Sequence, residues 1–516
     1  MYNMSNMSYR VRNFTEKNSI FTVCNMKDHK CFDCFCEQDD TMETLKDFIL
    51  GNAEYFGIDS SCNFTLHYFI FDTSDVNSKQ RIQIDENQMN LRLQDIINNA
   101  KDKTIYFSCL RRSQAKTFLD ADVSSVISEF IEPPYYQGKK EDLVNWLERF
   151  PIEIVSLNLS SNDIDITWMD ILKNVLSQKR LKTIILDTNN INGEAVIELA
   201  KALQNNKSIT SISLRFNKLG DDGSAKLAVA LKTNTSIKSI VLDGNDIGTQ
   251  GTRELSSALE YNNTITSFSL RFNRINEEGA EALATALRTN TSIKSIDLDG
   301  NYIGVRGVTP LADALVTNTN VTSISLASNR IGDGGVEALA AALRTNTSIK
   351  SINLNSNYIG TEGARALADA LVTNTNVTSI SLAFNKIGDT GAVALATTLE
   401  TNTSITSIIL KSSEIGQIGA QELARALERN TSITSIDLRF NIIGDGGVQA
   451  LAQALERNSS IKTIDLSHNW IGTEGARALA QALRTNTSVT TIFLKGNNIE
   501  EWKQVFHDNG QIDKSI

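Results

Sequence analysis

Residues with the chemistry for catalysis are few in this 516-residue chain and lie far apart. The four histidines are His29, His67, His468 and His507. The sequence contains no glycine-rich phosphate loop, no His-Glu-x-x-His zinc motif and no Gly-x-Ser-x-Gly nucleophile motif. We therefore predict a protein that is not an enzyme and that uses no cofactor.

One group of potential metal ligands lies near the amino end: Cys24, His29, Cys31, Cys34 and Cys36. Zinc favours cysteine and histidine ligands, but Cys34 and Cys36 are two residues apart on one face of an expected strand. That spacing is poor for closing a tetrahedral site, so we interpret these cysteines as small buried hydrophobic residues and predict no metal site. The chain has no cysteine after Cys109, which argues against a disulfide-rich extracellular protein.

The composition is that of a globular protein, with 41% hydrophobic and 21% charged residues. The net charge of −10 argues against a general nucleic-acid binder. No apolar run approaches the roughly 20 residues that a membrane helix needs. The amino end also lacks a basic segment followed by an apolar one. We expect a cytoplasmic protein without nucleic-acid or membrane partners, or one in a host cytosol if it is a bacterial effector.

Residues suited to protein recognition recur at a fixed interval along the later part of the chain. One series alternates in charge over Arg215, Asp243, Arg271 and Asp299, and later includes Lys411 and Arg439. The next position includes Phe216, Phe272, Phe384, Phe440 and His468, while Asp297 lies two residues before Asp299. Arginine together with aromatic residues is typical of interface hot spots. These twelve residues are therefore our candidates for binding a protein partner.

The interval is set by an internal repeat of 28 residues. An asparagine follows a leucine by three residues at Asn217, Asn245, Asn273, Asn301, Asn329, Asn357, Asn385, Asn441, Asn469 and Asn497. Asn189 and Asn162 extend the series upstream, and Ser413 replaces the asparagine once. About 13 such units occupy residues 151–500.

Each unit combines a strand pattern with a helix pattern. Ile212 and Leu214 alternate with polar residues, as in a strand with one buried face. Ala280, Leu283 and Leu287 follow helical spacing. We expect helix N-caps at Asp221, Thr249, Asp333, Thr361, Asp389, Asp445 and Thr473, and asparagines in a left-handed turn at the helix ends, as at Asn234 and Asn290.

The unit Leu-x-Leu-x-x-Asn-x-Ile-Gly, followed by Gly-Ala-x-x-Leu-Ala-x-Ala-Leu, resembles the ribonuclease-inhibitor class of leucine-rich repeats. This resemblance implies an α/β fold, a right-handed horseshoe-shaped solenoid with a parallel inner sheet and outer helices. It also implies that the asparagine amide bonds backbone groups in the bend after each strand. We expect a local flaw at Ser413, whose hydroxyl is too short to replace that amide, with neutral drift as the alternative.

The resemblance implies a protein–protein interaction scaffold that binds its partner on the concave face of the repeats. Two more limited interpretations stay open for the candidate residues. The arginines and aspartates could form a salt-bridge ladder that only keeps the face soluble. Each phenylalanine could also pack over a glycine of the neighbouring repeat. A Ran-type GTPase activator is another alternative, although no arginine matches a specific motif.

The first 150 residues indicate two further pieces. The order of expected elements in 19–112, with strands at 20–26, 31–37, 66–71 and 104–110, resembles a small α+β domain of the ubiquitin-like β-grasp type. Residues 1–18 are expected to be a tail. Residues 113–150 are expected to be a helical linker or an N-terminal cap of the solenoid, and 501–516 a C-terminal cap and tail.

Residues 117–134 resemble an F-box, with Leu119, Val123, Ile127, Phe130 and Pro133 at its hydrophobic and proline positions. Asp120 stands where that family has a proline. The resemblance implies docking on a Skp-type adaptor, which would make the chain a substrate adaptor of a cullin-type ubiquitin ligase. The alternative is a plain helix that caps the first repeat. We expect the protein to be a monomer.

Overall fold

The computed structural model describes six strands within residues 7–111, residues 136–140, 142, 143 and 147, and the stretch 155–499. The chain divides into two compact units, Met1–Leu159 with Arg180–Thr183 and Ser160–Lys179 with Ile184–Ile516. Within the described residues no helix is long and apolar enough to cross a membrane. No group of three or more His, Cys, Asp or Glu residues in that part of the chain could hold a metal ion.

The amino-terminal strands form one sheet with antiparallel pairs in the order β3-β2-β1-β6-β4-β5. They are β1 (Met7–Phe14), β2 (Asn18–Asn25), β3 (Lys30–Glu37), β4 (Phe64–Asp72), β5 (Lys79–Gln83) and β6 (Lys103–Arg111). The strands expected at 20–26, 31–37, 66–71 and 104–110 correspond to β2, β3, β4 and β6. The structure does not describe the side chains of the cysteine group. Residues 117–134 also lie outside the described residues, and with them the F-box positions Leu119, Val123, Ile127, Phe130 and Pro133.

The repeats supply thirteen short strands that pair in parallel, each with the strand of the next repeat. They are β7 (Ser156–Asn158), β8 (Thr183–Ile185), β9 (Ser211–Ser213), β10 (Ser239–Val241), β11 (Ser267–Ser269), β12 (Ser295–Asp297), β13 (Ser323–Ser325), β14 (Ser351–Asn353), β15 (Ser379–Ser381), β16 (Ser407–Ile409), β17 (Ser435–Asp437), β18 (Thr463–Asp465) and β19 (Thr491–Phe493). Equivalent residues of all repeats therefore stand in columns about 4.8 Å apart.

A helix follows each strand from β7 to β18. The helices are α1 (Met169–Leu176), α2 (Gly193–Gln204), α3 (Gly220–Thr233), α4 (Thr249–Tyr261), α5 (Asn276–Thr289), α6 (Gly304–Thr317), α7 (Gly332–Leu343), α8 (Thr361–Thr373), α9 (Gly388–Leu399), α10 (Gln417–Arg429), α11 (Gly444–Arg457) and α12 (Thr473–Leu483). A 3₁₀ turn, Ile166–Trp168, precedes α1. The expected α/β solenoid with a parallel sheet is confirmed.

The core consists of the alternating strand residues and one stripe of each helix. In β9, Ile212 and the following Leu214 are fully buried, whereas Ser211 and Ser213 are partly exposed. Leu283 and Leu287 of α5 are buried at the spacing of one helix face. A single repeat cannot enclose these side chains, so the apolar surface is removed from water only when neighbouring repeats stack.

The asparagine column closes the backbone hydrogen bonds of the bend after each strand. The Asn273 amide donates to the carbonyl oxygens of Leu242 (3.0 Å) and Leu270 (2.9 Å). Its Oδ1 accepts from the N–H groups of Asn245 (2.9 Å) and Ile247 (3.0 Å) in the preceding repeat. The amide also donates to the Arg271 carbonyl (3.2 Å). One buried side chain thus satisfies five backbone groups and joins two repeats, as the family resemblance implies.

A second asparagine column lies at the helix ends, where our expectation of a left-handed turn is wrong. Asn290 has an extended backbone, with φ −70° and ψ 128°. Its amide donates to the carbonyls of Leu259 (2.7 Å) and Asn262 (3.0 Å), and its Oδ1 accepts from the N–H groups of Ser292 and Ile293. Asparagine is needed here for its four hydrogen bonds and not for tolerance of positive φ.

The expected N-cap residues also act differently, because several cap the helix of the next repeat. Asp389 lies inside the first turn of α9, and its Oδ1 accepts from the N–H groups of Gly416 (2.7 Å) and Gly419 (2.9 Å) at the start of α10. A Cβ on Gly419 would lie only 2.8 Å from that oxygen, so glycine allows the approach. The same bond joins Asp221 to α4, Asp333 to α8 and Asp445 to α12. Thr249, Thr361 and Thr473 are the first helical residues and not the caps.

The flaw expected at Ser413 is present. Its hydroxyl reaches the carbonyls of Leu382 and Lys411 only at 3.3 Å. Its side chain makes no bond to the N–H groups of Asn385 or Ile387, the two donors that an asparagine would accept from a preceding repeat. The ladder is therefore incomplete between β15 and β16.

Replacing Ser413 with asparagine should restore the two missing acceptor bonds. We expect Ser413→Asn to raise the free energy of unfolding by about 1–3 kcal/mol, since buried N–H groups would gain partners. Urea denaturation followed by circular dichroism measures this. Asn357→Ser, the reverse change in an intact repeat, should lower stability by a similar amount. An unchanged midpoint for Ser413→Asn would mean that the two N–H groups are already satisfied.

Candidate protein-binding face

The sheet presents one side to solvent, and we call this side the strand face. In each repeat it is formed by the first and third strand residues and by the two residues after the buried leucine. In the repeat of β9 these are Ser211, Ser213, Arg215 and Phe216. The first position is serine or threonine in every strand from β8 to β19, so the chemical variety lies in the other three columns.

The predicted arginines and aspartates come together on this face. Arg215 Nε lies 3.2 Å from Asp243 Oδ2. Arg271 Nε lies 3.6 Å from Asp299 and 3.7 Å from Asp297. Arg439 contacts two aspartates that sequence reasoning missed, Asp437 at 2.7 Å and Asp465 at 3.1 Å. Both stand at the repeat position of Asp297, and that signal was available in the sequence.

Several of the aspartates bind their own neighbours. Asp243 is buried, and its Oδ1 accepts from the Ser269 hydroxyl (2.5 Å) and the Arg271 N–H (3.0 Å) of the next repeat. Asp299 does the same with Ser325 and Ala327. These carboxylates therefore fix the repeats to one another and hold the arginines in place, which leaves them less available to a partner than the sequence suggested.

Asp297 is the exception, because its charge is poorly compensated. The pKa of its carboxyl is raised to about 6, mainly by burial and secondly by the nearby charge of Asp299. The N–H of Asp299 and the guanidinium of Arg271 act in the opposite direction. Burial likewise raises the pKa of Asp465. Asp297 and Asp465 are thus held in an environment that favours the neutral acid.

The predicted phenylalanines form a column of half-exposed rings. The exposed fractions are 53% for Phe216, 54% for Phe272, 52% for Phe384 and 48% for Phe440. All four have left-handed backbone, with φ between 52° and 57°. Other repeats have glycine here, as at Gly244 and Gly300, or serine, threonine or histidine. This is the repeat position that favours glycine, and phenylalanine occupies it against that preference.

Neighbouring repeats support these rings from one side. The Phe216 ring lies where a Cβ on Gly244 would be, and the Phe272 ring covers Gly300, whose Cβ would lie 2.7 Å from it. The open interpretation that phenylalanine packs over a glycine therefore describes these two rings. It does not account for the other half of each ring, which stays in contact with solvent.

The column continues as an aromatic and cationic stack in the later repeats. The Lys411 ammonium lies 4.8 Å from the centre of the Phe384 ring and 5.2 Å from that of Phe440. Phe440 is stacked on His468, with ring centres 4.2 Å apart and an angle of 7° between the planes. His468 in turn covers Gly496.

A further column of exposed side chains was missed. Two residues beyond the ring column, the structure exposes Tyr302 (57%), Tyr358 (67%), Ile442 (56%) and Trp470 (73%). They share the 28-residue spacing, which could have revealed them. Ile442 and Trp470 belong to the same repeats as Phe440 and His468, so the exposed apolar surface is concentrated there.

Comparison with known proteins agrees with the repeat architecture. Eight segments match the family described as Leucine Rich repeat: 205–228, 261–284, 289–312, 317–340, 345–368, 373–396, 429–452 and 457–480. No curated protein matches the chain. The chain therefore contains leucine-rich repeats arranged as a parallel-sheet solenoid, an architecture that typically serves as a non-enzymatic protein-interaction scaffold.

Three solved structures show partial likeness. The actin-binding site 2 of leiomodin-1 is 24% identical with a TM-score of 0.24, covering 25% of this chain and 76% of that one. The Caenorhabditis elegans tropomodulin C-terminal domain is 19% identical with a TM-score of 0.26, covering 29% and 92%. The TLR13–ssRNA13 complex is 14% identical with a TM-score of 0.42, covering 70% and 52%. At these values none of them indicates a function for this chain.

Neutralising Asp297 should change how stability depends on pH. Its pKa is raised to about 6 in the folded chain, so folding favours the protonated form and stability falls as pH rises from about 4 to 6. We expect Asp297→Asn to raise the melting temperature above pH 6 and to have little effect below pH 4. Asn353, at the same position two repeats later, shows that asparagine fits, with a 2.9 Å bond to Ser325.

Thermal unfolding between pH 4 and 8 measures this effect. Asp437→Asn is the matched control, because Asp437 pairs with Arg439 at 2.7 Å and its removal should lower the melting temperature at neutral pH. If the melting temperatures of Asp297→Asn and the parent chain differ by the same amount at every pH, the raised pKa of Asp297 is contradicted.

Proposed function

We propose that the chain is a scaffold that binds a protein partner on the strand face, the concave face of the solenoid. Phe216, Phe272, Phe384 and Phe440 are the main contacts. The observation that carries this proposal is the combination of half-exposed rings and left-handed backbone at one repeat position. A solvated face has no need of phenylalanine where glycine is the easier residue.

The energetics support a role outside the folded chain itself. Left-handed backbone costs about 1–2 kcal/mol for a residue with a side chain, and half of each ring gains nothing from burial. Covering that half with a partner would remove apolar area from water at about 25 cal/mol per Å². Aromatic rings next to arginines, as in Arg271–Phe272 and Arg439–Phe440, are the usual composition of binding hot spots.

The rings are also held ready for contact. Glycines support Phe216 and Phe272, Lys411 lies beside Phe384, and His468 stacks on Phe440. A side chain that is already fixed loses little conformational entropy when a partner binds. Ion pairs such as Arg439 with Asp465 place alternating charges beside the rings, which would set the register of the partner.

Replacing the four phenylalanines with alanine should abolish partner binding and leave the fold intact. Each truncation removes exposed ring surface and no buried core side chain, so the fold should persist. For a hot spot we expect the binding free energy to become less favourable by at least about 2 kcal/mol. The parent chain and the four-alanine variant serve as baits for affinity capture from a cell extract. Mass spectrometry then identifies the proteins that only the parent chain captures. Their affinity for the purified variants is then measured by calorimetry.

The matched control replaces exposed apolar residues of the outer helices, with Val229→Ala, Val305→Ala and Ile418→Ala. This control should retain the same partners. Equal affinity of the four-alanine variant and the parent chain for every captured protein would rule out the strand face as the binding surface.

The ubiquitin-ligase alternative depends on residues 117–134 and stays a prediction. The bait Leu119→Asp with Phe130→Asp should lose a Skp-type adaptor and a cullin if this segment is an F-box, because both changes place charge on its apolar docking surface. Retention of strand-face partners by the same bait shows that the repeats are folded. Capture of no adaptor by the parent chain would leave the segment as a cap. Stimulated phosphate release from a Ran-type GTPase would instead indicate the third alternative.

A further inference from the structure

A second surface of the repeats is strongly basic although the chain is acidic. It lies where each helix runs into the next strand, and we call it the basic edge. It consists of the last two helix residues and the connection before each of the seven strands β9 to β15. These segments contain Lys207, Lys232, Lys238, Arg288, Lys294, Arg344 and Lys350, and one acid, Glu260. The whole chain has a net charge of −10, so seven cations against one anion is a marked local excess.

These cations are exposed and lack acidic partners. All seven side chains are solvent-exposed, and none forms an ion pair with a described residue. Lys207 donates to the Thr235 hydroxyl at 3.1 Å, and the Lys232 ammonium lies 4.1 Å from the centre of the Tyr261 ring. Close cations repel one another in the free protein, and their positive charge is available for an anionic surface.

The later repeats show that this excess is not a requirement of the fold. The four connections before β16 to β19 carry three glutamates and four cations, namely Glu400, Glu428, Glu456, Arg429, Arg457, Lys462 and Arg484. There Arg457 pairs with Glu428 across adjacent repeats. The same connections can therefore be built with balanced charge, and the excess is confined to one stretch of the edge.

The arrangement is a regular grid. Alternate connections contribute a pair of cations, one at the helix end and one just before the strand: Lys232 with Lys238, Arg288 with Lys294, and Arg344 with Lys350. Successive pairs are two strands apart, roughly 10 Å. The alternate repeats, between and after these pairs, expose apolar side chains at the helix end, Tyr261 (61%), Val316 (45%) and Val372 (49%).

This mixture favours one kind of occupant. Phosphates of a nucleic acid would meet the cations but gain nothing from the valines. A protein interface needs a contiguous apolar centre, whereas these three side chains are separated by cations. An anionic lipid surface matches both the cations and the separated apolar side chains. Its headgroups attract lysine and arginine, and each aromatic or aliphatic side chain can enter the lipid interface by itself.

We propose that the basic edge docks on the surface of an anionic phospholipid bilayer. The chain would lie on the membrane and not span it, which departs from our expectation of no membrane contact. The strand face is a different surface of the same repeats, so docking in this way leaves it open to a partner. The proposal does not depend on the function proposed for the strand face.

Sedimentation with vesicles tests this docking. The probes are vesicles of phosphatidylcholine alone and of phosphatidylcholine mixed with phosphatidylserine, with a single-stranded polyuridine RNA as a third probe. We expect the intact chain to bind only the mixed vesicles and to dissociate as salt is added. The variant Lys238→Glu, Lys294→Glu, Lys350→Glu should lose about a hundredfold in partition coefficient or more, because each cation contributes about a fivefold attraction.

The matched control reverses three exposed cations away from this edge, Lys226→Glu, Arg306→Glu and Lys386→Glu, and has the same net charge as the test variant. It should bind mixed vesicles within a few-fold of the parent chain. Circular dichroism of both variants confirms that they are folded. Tyr261→Ser should weaken binding to the mixed vesicles, because the ring no longer enters the lipid interface.

Three results would overturn the proposal. The first is no binding of the intact chain to the mixed vesicles. The second is an equal loss for the test and control variants, which would make the effect one of net charge. The third is binding to polyuridine with no binding to vesicles, which would assign this edge to a nucleic acid instead. None of these results bears on the strand face, which the capture experiment tests separately.

Discussion

The repeats depend on one constraint, that buried backbone groups must find hydrogen-bond partners. A strand of three residues followed by a sharp bend leaves several carbonyl and N–H groups inside the solenoid with no partner in their own repeat. Asn273 and its equivalents bridge these groups from repeat to repeat, and Asn290 and its equivalents do the same at the opposite end of the strands. Each repeat is therefore completed only by its neighbours, which is why the stack and not the unit is the stable structure.

That constraint also explains where sequence can vary. Positions in the two asparagine columns cannot change without leaving a buried group unpaired, and Ser413 shows the consequence, with weak bonds at 3.3 Å and two donors without its help. The exposed phenylalanine, arginine and lysine side chains of the strand face and of the connections before the strands carry no such duty. Phenylalanines, ion pairs and the cations of the basic edge are all placed on these permissive positions. The side chains proposed for binding are therefore ones that the backbone hydrogen bonds of the repeats do not require.

A period of two repeats runs through the structure beneath the 28-residue repeat. Asp389 caps the helix of the following repeat, and the same bond recurs from Asp221, Asp333 and Asp445. Asp243 and Asp299 tie the strand face together at the same period, and so do the cation pairs of the basic edge. Duplication of a pair of repeats would produce this pattern. Adjacent repeats therefore differ in role, because one supplies the aspartate and the next supplies the helix N–H groups that the aspartate binds.

The sequence by itself determined the strand and helix of each repeat and their parallel stacking. It also determined the columns in which Arg215, Phe216 and their equivalents stand. Hydrophobic periodicity and a fixed interval are local properties of a sequence, and many repeats make both easy to recognise. Only the tertiary structure decided which carboxylates are engaged by the next repeat, that Asp389 caps a helix other than its own, that Asn290 is extended, and that the phenylalanine backbone is left-handed. All of these are relations between neighbouring repeats. Their geometry depends on how the repeats pack, and a residue's type and spacing do not contain that information.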